Sequence, residues 1–130
     1  MPLEPKVKEF ATGKNFAALT TLFQDGTPQT QVMWVDADDD HILINTEVER
    51  QKFLNVERDP RVTVLVWNKE NPYQYVEVRG RVVEVVHGDE ARAHIDACSQ
   101  RYTGKDYNPD NIGSPRAVLK IAPDRQLVRG

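Results

Sequence analysis

The chain is expected to fold as a small, mainly β (α+β) unit, an antiparallel barrel of six strands with flanking helices. Three observations predict this. Asp25-Gly26 joins two β-rich runs, and glycine supplies the positive φ that a tight hairpin turn demands. The strand-like runs have only three helical stretches among them, whereas parallel strands would need a helical crossover after nearly every strand. Finally, 130 residues provide for one core and leave no room for a second.

Glu4 to Lys14 reads as a short amphipathic helix, with Val7, Phe10 and Ala11 at helical spacing and Lys6, Lys8 and Lys14 turned outward. Gly13 marks its end. The period then changes to strands: Phe16 to Phe23, the hairpin turn Asp25 to Pro28, and Thr30 to Val35. An acidic turn, Asp36 to Asp40, leads into a strand from His41 to Thr46. Glu47 to Asp59 is helical, with Phe53, Leu54 and Val56 as buried candidates, and Pro60 stops it.

Arg61 to Trp67 is β-branched and nearly continuous, which predicts a strand buried on both faces. Tyr75 to His87 alternates over a length that fits a barrel's coiled edge, interrupted by Gly80. Gly88 to Arg101 is helical, with Ala91, Ile95 and Ala97 among its apolar positions. Thr103 to Ser114 is irregular, and Arg116 to Ile121 followed by Asp124 to Arg129 forms the closing strand region.

Composition excludes several classes. Seventeen Lys and Arg against twenty Asp and Glu give a net charge of −3, and the strands lack basic residues interleaved with aromatics, so no nucleic acid partner is expected. A single cysteine, Cys98, excludes an internal disulfide and any multi-cysteine metal centre, and fits a reducing compartment. The opening Met-Pro-Leu-Glu-Pro-Lys has no apolar signal core, and no run approaches the roughly 18 apolar residues of a membrane span. A cytoplasmic protein without membrane attachment is the expectation.

The segment Thr46-Glu47-Val48-Glu49-Arg50-Gln51-Lys52 carries the most chemistry. A hydroxyl at a strand end, then Arg and Lys where a helix begins, puts three donors near backbone N–H groups and a positive dipole end, an arrangement that cradles a phosphate ester. The competing reading pairs Arg50 and Lys52 with Glu47, Glu49 or Glu57 on a solvated helix face. Order along the chain tips the balance: Gly26-Thr27-Pro28, a strand ending in Thr46, Arg50-Gln51-Lys52-Phe53-Leu54-Asn55, Asp59-Pro60-Arg61, and Tyr75 through Gly80.

From about Phe16 to Arg129 this order resembles the pyridoxamine 5′-phosphate oxidase-like superfamily of split β-barrel flavin and deazaflavin proteins. Arg101 to Tyr107 and the closing strand resemble its small actinobacterial branch, described as dependent on coenzyme F420. The resemblance implies a homodimer with cofactor sites at the subunit interface, hydride transfer to a small conjugated acceptor, and Thr46, Arg50 and Lys52 as the phosphate clamp. It implies that Gln29, Thr30, Gln31, Val32 and Met33, with Ile44 and Asn45, lie along the tricyclic ring. Trp67, Asn68, Pro72 and Tyr73 of the other subunit are candidates for the closing wall. FMN is the alternative cofactor, as an oxidase or reductase, and a non-catalytic carrier is the alternative role. Lys6, Lys8 and Lys14 are candidates to meet the glutamate tail of F420.

Pyridoxamine phosphate oxidases proper carry a longer C-terminal segment with Arg and His, absent here, so vitamin B6 oxidation is not expected. His41, His87 and His94 read as surface or partly packed, with nothing pairing them at metal spacing, and no metal site is expected. Trp34 and Trp67 read as packing groups. Tyr102 and Tyr107 flank a loop that either lies over the site or ties the third helix down. Cys98 reads as a small apolar helix residue.

Overall fold

Seven strands form where six are expected. The computed structural model describes all residues, Met1–Gly130. Its elements are α1 (Pro5–Thr12), β1 (Phe16–Leu22), β2 (Pro28–Met33), β3 (Asp36–Ala37), β4 (Ile42–Glu47), α2 (Gln51–Arg58), β5 (Arg61–Asn68), β6 (Asn71–Val86), α3 (Gly88–Thr103) and β7 (Arg116–Arg129), with one turn of 3-10 helix at Pro109–Asn111. The additional strand is β3. Asp38 turns the chain by accepting hydrogen bonds from the backbone N–H groups of Asp40 and His41. Asp36 and Ala37 then pair with Leu43 and Ile42. Only the middle of the acidic run is a turn.

All strand pairs are antiparallel, in the order β2-β1-β5-β6-β7-β4-β3. The edge strands β2 and β3 are joined by Trp34 and Val35 alone. Three Cα steps span at most about 11 Å, whereas seven strands laid flat would separate the edges by roughly 29 Å. The sheet must therefore curl until its edges approach one another, which makes it a half-barrel split between β2 and β3.

Alternate residues of the strands line the concave side: Ala17 and Leu19, Ile42 and Ile44, Val62, Val64 and Val66, Val76 and Val78, and Ala117, Leu119 and Ile121, joined by Val7 and Ala11 of α1 and Phe53 and Val56 of α2. Each such aliphatic side chain contributes about 1.5–3 kcal/mol on burial. Leu54 faces outward instead, because the apolar stripe of α2 passes through Phe53 and Val56. Strand β5 is fully buried on only one face, alternating buried and half-buried residues.

Strand β6 lies between β5 and β7 and is no edge. At Gly80 the β7 backbone comes so near that a Cβ would sit 2.0 Å from the carbonyl oxygen of Ala122, beside a shift in the β6–β7 register. Glycine is required there by proximity. No helix is long and apolar enough to cross a membrane.

Candidate functional site

The split between β2 and the β3–β4 hairpin opens a cleft of about 350 Å³, within the roughly 300–1,000 Å³ range of small-molecule sites. Val32 and Met33 form one side, Asn45, Thr46 and Glu47 another, Arg50 and Lys52 a third, and Ile95 and Cys98 of α3 lie opposite, with Tyr107 and Arg116. Thr46 ends β4, and Arg50 precedes the first residue of α2 and accepts its opening hydrogen bonds from the N–H groups of Phe53 and Leu54. Strand end, short turn and helix start thus bring the three sequence-predicted clamp residues to one wall.

Charge in the cleft is unbalanced. Its one carboxylate, Glu47, is buried and accepts from the backbone N–H groups of Gly113 and Ser114 and from Arg50 at 2.9 Å, with Arg116 at 3.8 Å. Burial alone would raise the pKa of Glu47, but these donors outweigh it and keep the carboxyl ionised to lower pH than usual. Lys52 is 8% exposed yet makes no hydrogen bond or ion pair. Burial, then repulsion from Arg50 and Arg116, pulls its pKa below the usual lysine value. The Thr46 hydroxyl is likewise unpaired. Three cations surround one acid, so the cleft has two positive charges in excess and two free donors.

The ion-pair reading holds for Arg50 and not for Lys52. Arg50 is the surface ion pair, its side chain 57% exposed and held by Glu47, whereas Lys52 turns into the cleft. Arg116 and Glu47 meet only through the β4–β7 register, which pairs them directly across the sheet and leaves no local sequence signal.

The other candidates divide. Val32, Met33 and Asn45 line the cleft, but Gln29, Thr30 and Gln31 do not. Gln29 instead accepts from the amide of the buried Asn55, and Thr30 hydrogen-bonds Thr20 on the neighbouring strand. Ile44 points into the core, because residues alternate along β4 and Asn45 takes the cleft side. Trp67 packs on Phe16, Asn68 borders a different surface cleft, and Tyr73, next to Pro72, is 85% exposed at the start of β6. Within one chain these four lie away from the clamp.

Trp34 is both packing and wall. It stacks on Tyr102 at 5.0 Å, meets Tyr107 edge-on at 6.0 Å, and lines the cleft. Tyr102 ties α3 down, donating to the Asn15 carbonyl and accepting from the Val35 N–H. The guanidinium of Arg116 lies 5.3 Å from the Tyr107 ring, so the loop carrying Tyr107 covers the cationic end of the cleft. Of the helix lysines, Lys6 pairs with Glu9 and Lys8 with Asp39; Lys14 alone makes no ion pair.

His94 is better connected than its place in the sequence suggests. Its Nε2 lies 3.0 Å from Asp36 and 3.6 Å from the Cys98 sulfur, and its Nδ1 lies 3.0 Å from the Asn45 amide nitrogen. Asp36 is 58 residues away, a meeting that local spacing does not reveal. Both ring nitrogens already have hydrogen-bond partners.

The family model for pyridoxamine 5′-phosphate oxidase matches residues 3–128. Among solved structures, a protein described as an F420 reductase is 28% identical, with a TM-score of 0.83 over 96% of this chain and 98% of that one. The conserved hypothetical protein Rv2991 from Mycobacterium tuberculosis is 26% identical, with a TM-score of 0.78 over 98% of this chain and 84% of that one. HutZ, the heme storage protein from Vibrio cholerae, is 15% identical with a TM-score of 0.71 over 100% and 96% of the two chains, a likeness of fold alone. No curated protein matches in sequence.

Proposed function

The chain belongs to the pyridoxamine 5′-phosphate oxidase family, and from that premise we propose that it is an F420-dependent reductase acting as a homodimer. The observation that carries this reading is the unpaired ammonium of the largely buried Lys52, open to the cleft beside Arg50 and Arg116 with a single acid among them. A cleft with two surplus positive charges and a free hydroxyl is completed by a phosphate ester, which accepts several charge-assisted hydrogen bonds at once. The similarity to a protein described as an F420 reductase favours F420 over FMN.

Deazaflavin, when bound, supplies hydride chemistry. The chain's own residues bind and orient. Lys52, Arg50, Arg116 and the Thr46 hydroxyl would hold the phosphate. Val32 and Met33 lie where they would flank the ring, and as an edge strand β2 has one row of backbone groups without strand partners to offer its polar edge. Trp34, backed by Tyr102, would shield the far side of the ring from water. A second copy, bringing its Trp67, Asn68, Pro72 and Tyr73, would close the open face; Val32, 65% exposed at the lip of the cleft, supports such a partner.

Parallel titrations of the purified protein with F420 and FMN test the reading, followed by mixing with reduced F420 and a quinone or nitro-aromatic acceptor. Tight F420 binding with acceptor-dependent oxidation supports it. Preference for FMN shifts the assignment to a flavin enzyme, and F420 binding without turnover makes the protein a carrier.

A further inference from the structure

Four side chains form a hydrogen-bonded line from the flank of the half-barrel into the cleft. Asp36 of β3 faces Nε2 of His94 on α3 at 3.0 Å. Asn45 of β4 presents its amide nitrogen to Nδ1 of that ring at 3.0 Å and to the Ala91 carbonyl at 2.9 Å, and its amide oxygen accepts from Nε of Arg116 on β7 at 2.8 Å. The Ala91 and Arg116 contacts decide which end of the amide faces the imidazole. In this arrangement Nδ1 is bare, and the neutral ring carries its single proton on Nε2 and donates it to Asp36.

Resting on the reading of the cleft as a phosphate site, we propose that His94 is a positioning residue whose protonation, relayed by the Asn45 amide, decides whether Arg116 is tethered to the sheet or released to an anion in the cleft. A proton arriving at Nδ1 meets the Asn45 NH2 donor against donor. The amide must turn over, giving up its bond to the Ala91 carbonyl, so that its oxygen accepts from Nδ1. Its nitrogen then faces Arg116 Nε, again donor against donor, and the tether is lost. A phosphate oxygen satisfies both freed donors, Arg116 Nε and the Asn45 nitrogen. Proton uptake at His94 and anion binding therefore favour each other, and reciprocity requires each to strengthen the other by the same factor.

The charged and titratable groups around the ring are few. Asp36 faces it from β3 with Arg101 of α3 behind at 3.6 Å, Cys98 faces it from α3, and Arg116 and Glu47 stand beyond Asn45. Burial opposes the imidazolium, but Asp36 and the Cys98 sulfur outweigh it and raise the His94 pKa above the usual histidine value, while the Asn45 N–H donor at Nδ1 works the other way. The ring is thus pulled towards protonation by Asp36 and towards neutrality by Asn45.

The test follows the imidazole nitrogens of the ligand-free protein by long-range ¹H–¹⁵N correlation across the pH range, with His94 assigned from His94→Gln. Arg116→Lys keeps the charge and removes the Nε donor. The relay predicts that the His94 pKa rises in Arg116→Lys, by about half a unit or more, because the amide is then free to turn. An unchanged His94 pKa in that variant overturns the inference, since charge alone is conserved. Titration of the wild-type protein with F420 and FMN provides a separate readout: failure of both to bind defeats the cofactor reading while leaving the nitrogen titration to decide the relay.

Discussion

Arg50 donates to the buried carboxylate of Glu47 at 2.9 Å, so the one acid of the cleft is engaged by the most exposed of its three cations. Lys52, deeper and without a direct ion pair, is left as the group that an incoming anion satisfies. This division of labour underlies the predictions below.

Replacing Lys52 by Met keeps the aliphatic stem and removes the uncompensated ammonium. The variant should melt at the same temperature as the parent or higher, because a buried charge without a partner opposes folding, while losing affinity for the phosphate-bearing ligand. Calorimetry and titration on the same preparation check both halves. A marked fall in melting temperature would show that Lys52 is a structural residue.

Glu47→Gln should destabilise the protein by about 1–3 kcal/mol, since the neutral amide is a poorer acceptor for Gly113, Ser114 and Arg50. The pH dependence follows from the lowered carboxyl. A depressed native pKa contributes stability that is fully present above the ordinary value of 4.5 and disappears as pH falls through the native value. Denaturant unfolding at pH 7 and below pH 4.5 should therefore show a smaller acid-induced loss in the variant than in the parent.

Gly80→Ala brings a methyl group to 2.0 Å from the Ala122 carbonyl oxygen. Strands β6 and β7 must then separate, at an expense of about 3 kcal/mol or more. Gly26→Ala, in open space but at φ 87°, should lose about 1 kcal/mol through backbone strain alone. Chemical denaturation of the two variants side by side measures the contrast, and equal losses would contradict the close-approach explanation.

Val32→Asp places a charge at the exposed lip of the cleft. The fold should persist, with an unchanged far-ultraviolet spectrum, and the proposed dimer should give way to monomer in light scattering at micromolar concentration. A variant that remains dimeric would locate the interface elsewhere.

The first hairpin and the three helices were legible in the sequence because they depend on local signals, such as Asp25-Gly26 at the first turn and Pro60 after α2, whereas β6 begins at Asn71, four residues before the expected Tyr75. Thr46, Arg50 and Lys52 were legible as a group for the same reason, lying within seven residues of one another. What escaped depends on register and curl. Arg116 reaches Glu47 only through the β4–β7 pairing, and Asp36 reaches His94 only because a two-residue strand forms inside what reads as a solvated acidic turn. The exposure of Leu54 and the burial of Ile44 likewise follow from which face of an element meets the curled sheet, a choice that composition leaves open.

The most direct test of the phosphate cradle is the change in F420 affinity, read by fluorescence, between the parent and Lys52→Ala, with Arg50→Ala in parallel. The account predicts folded variants weakened by about 1.5–3 kcal/mol each, the range for loss of a charge-assisted hydrogen bond. Binding as tight as the parent's in both variants would contradict it.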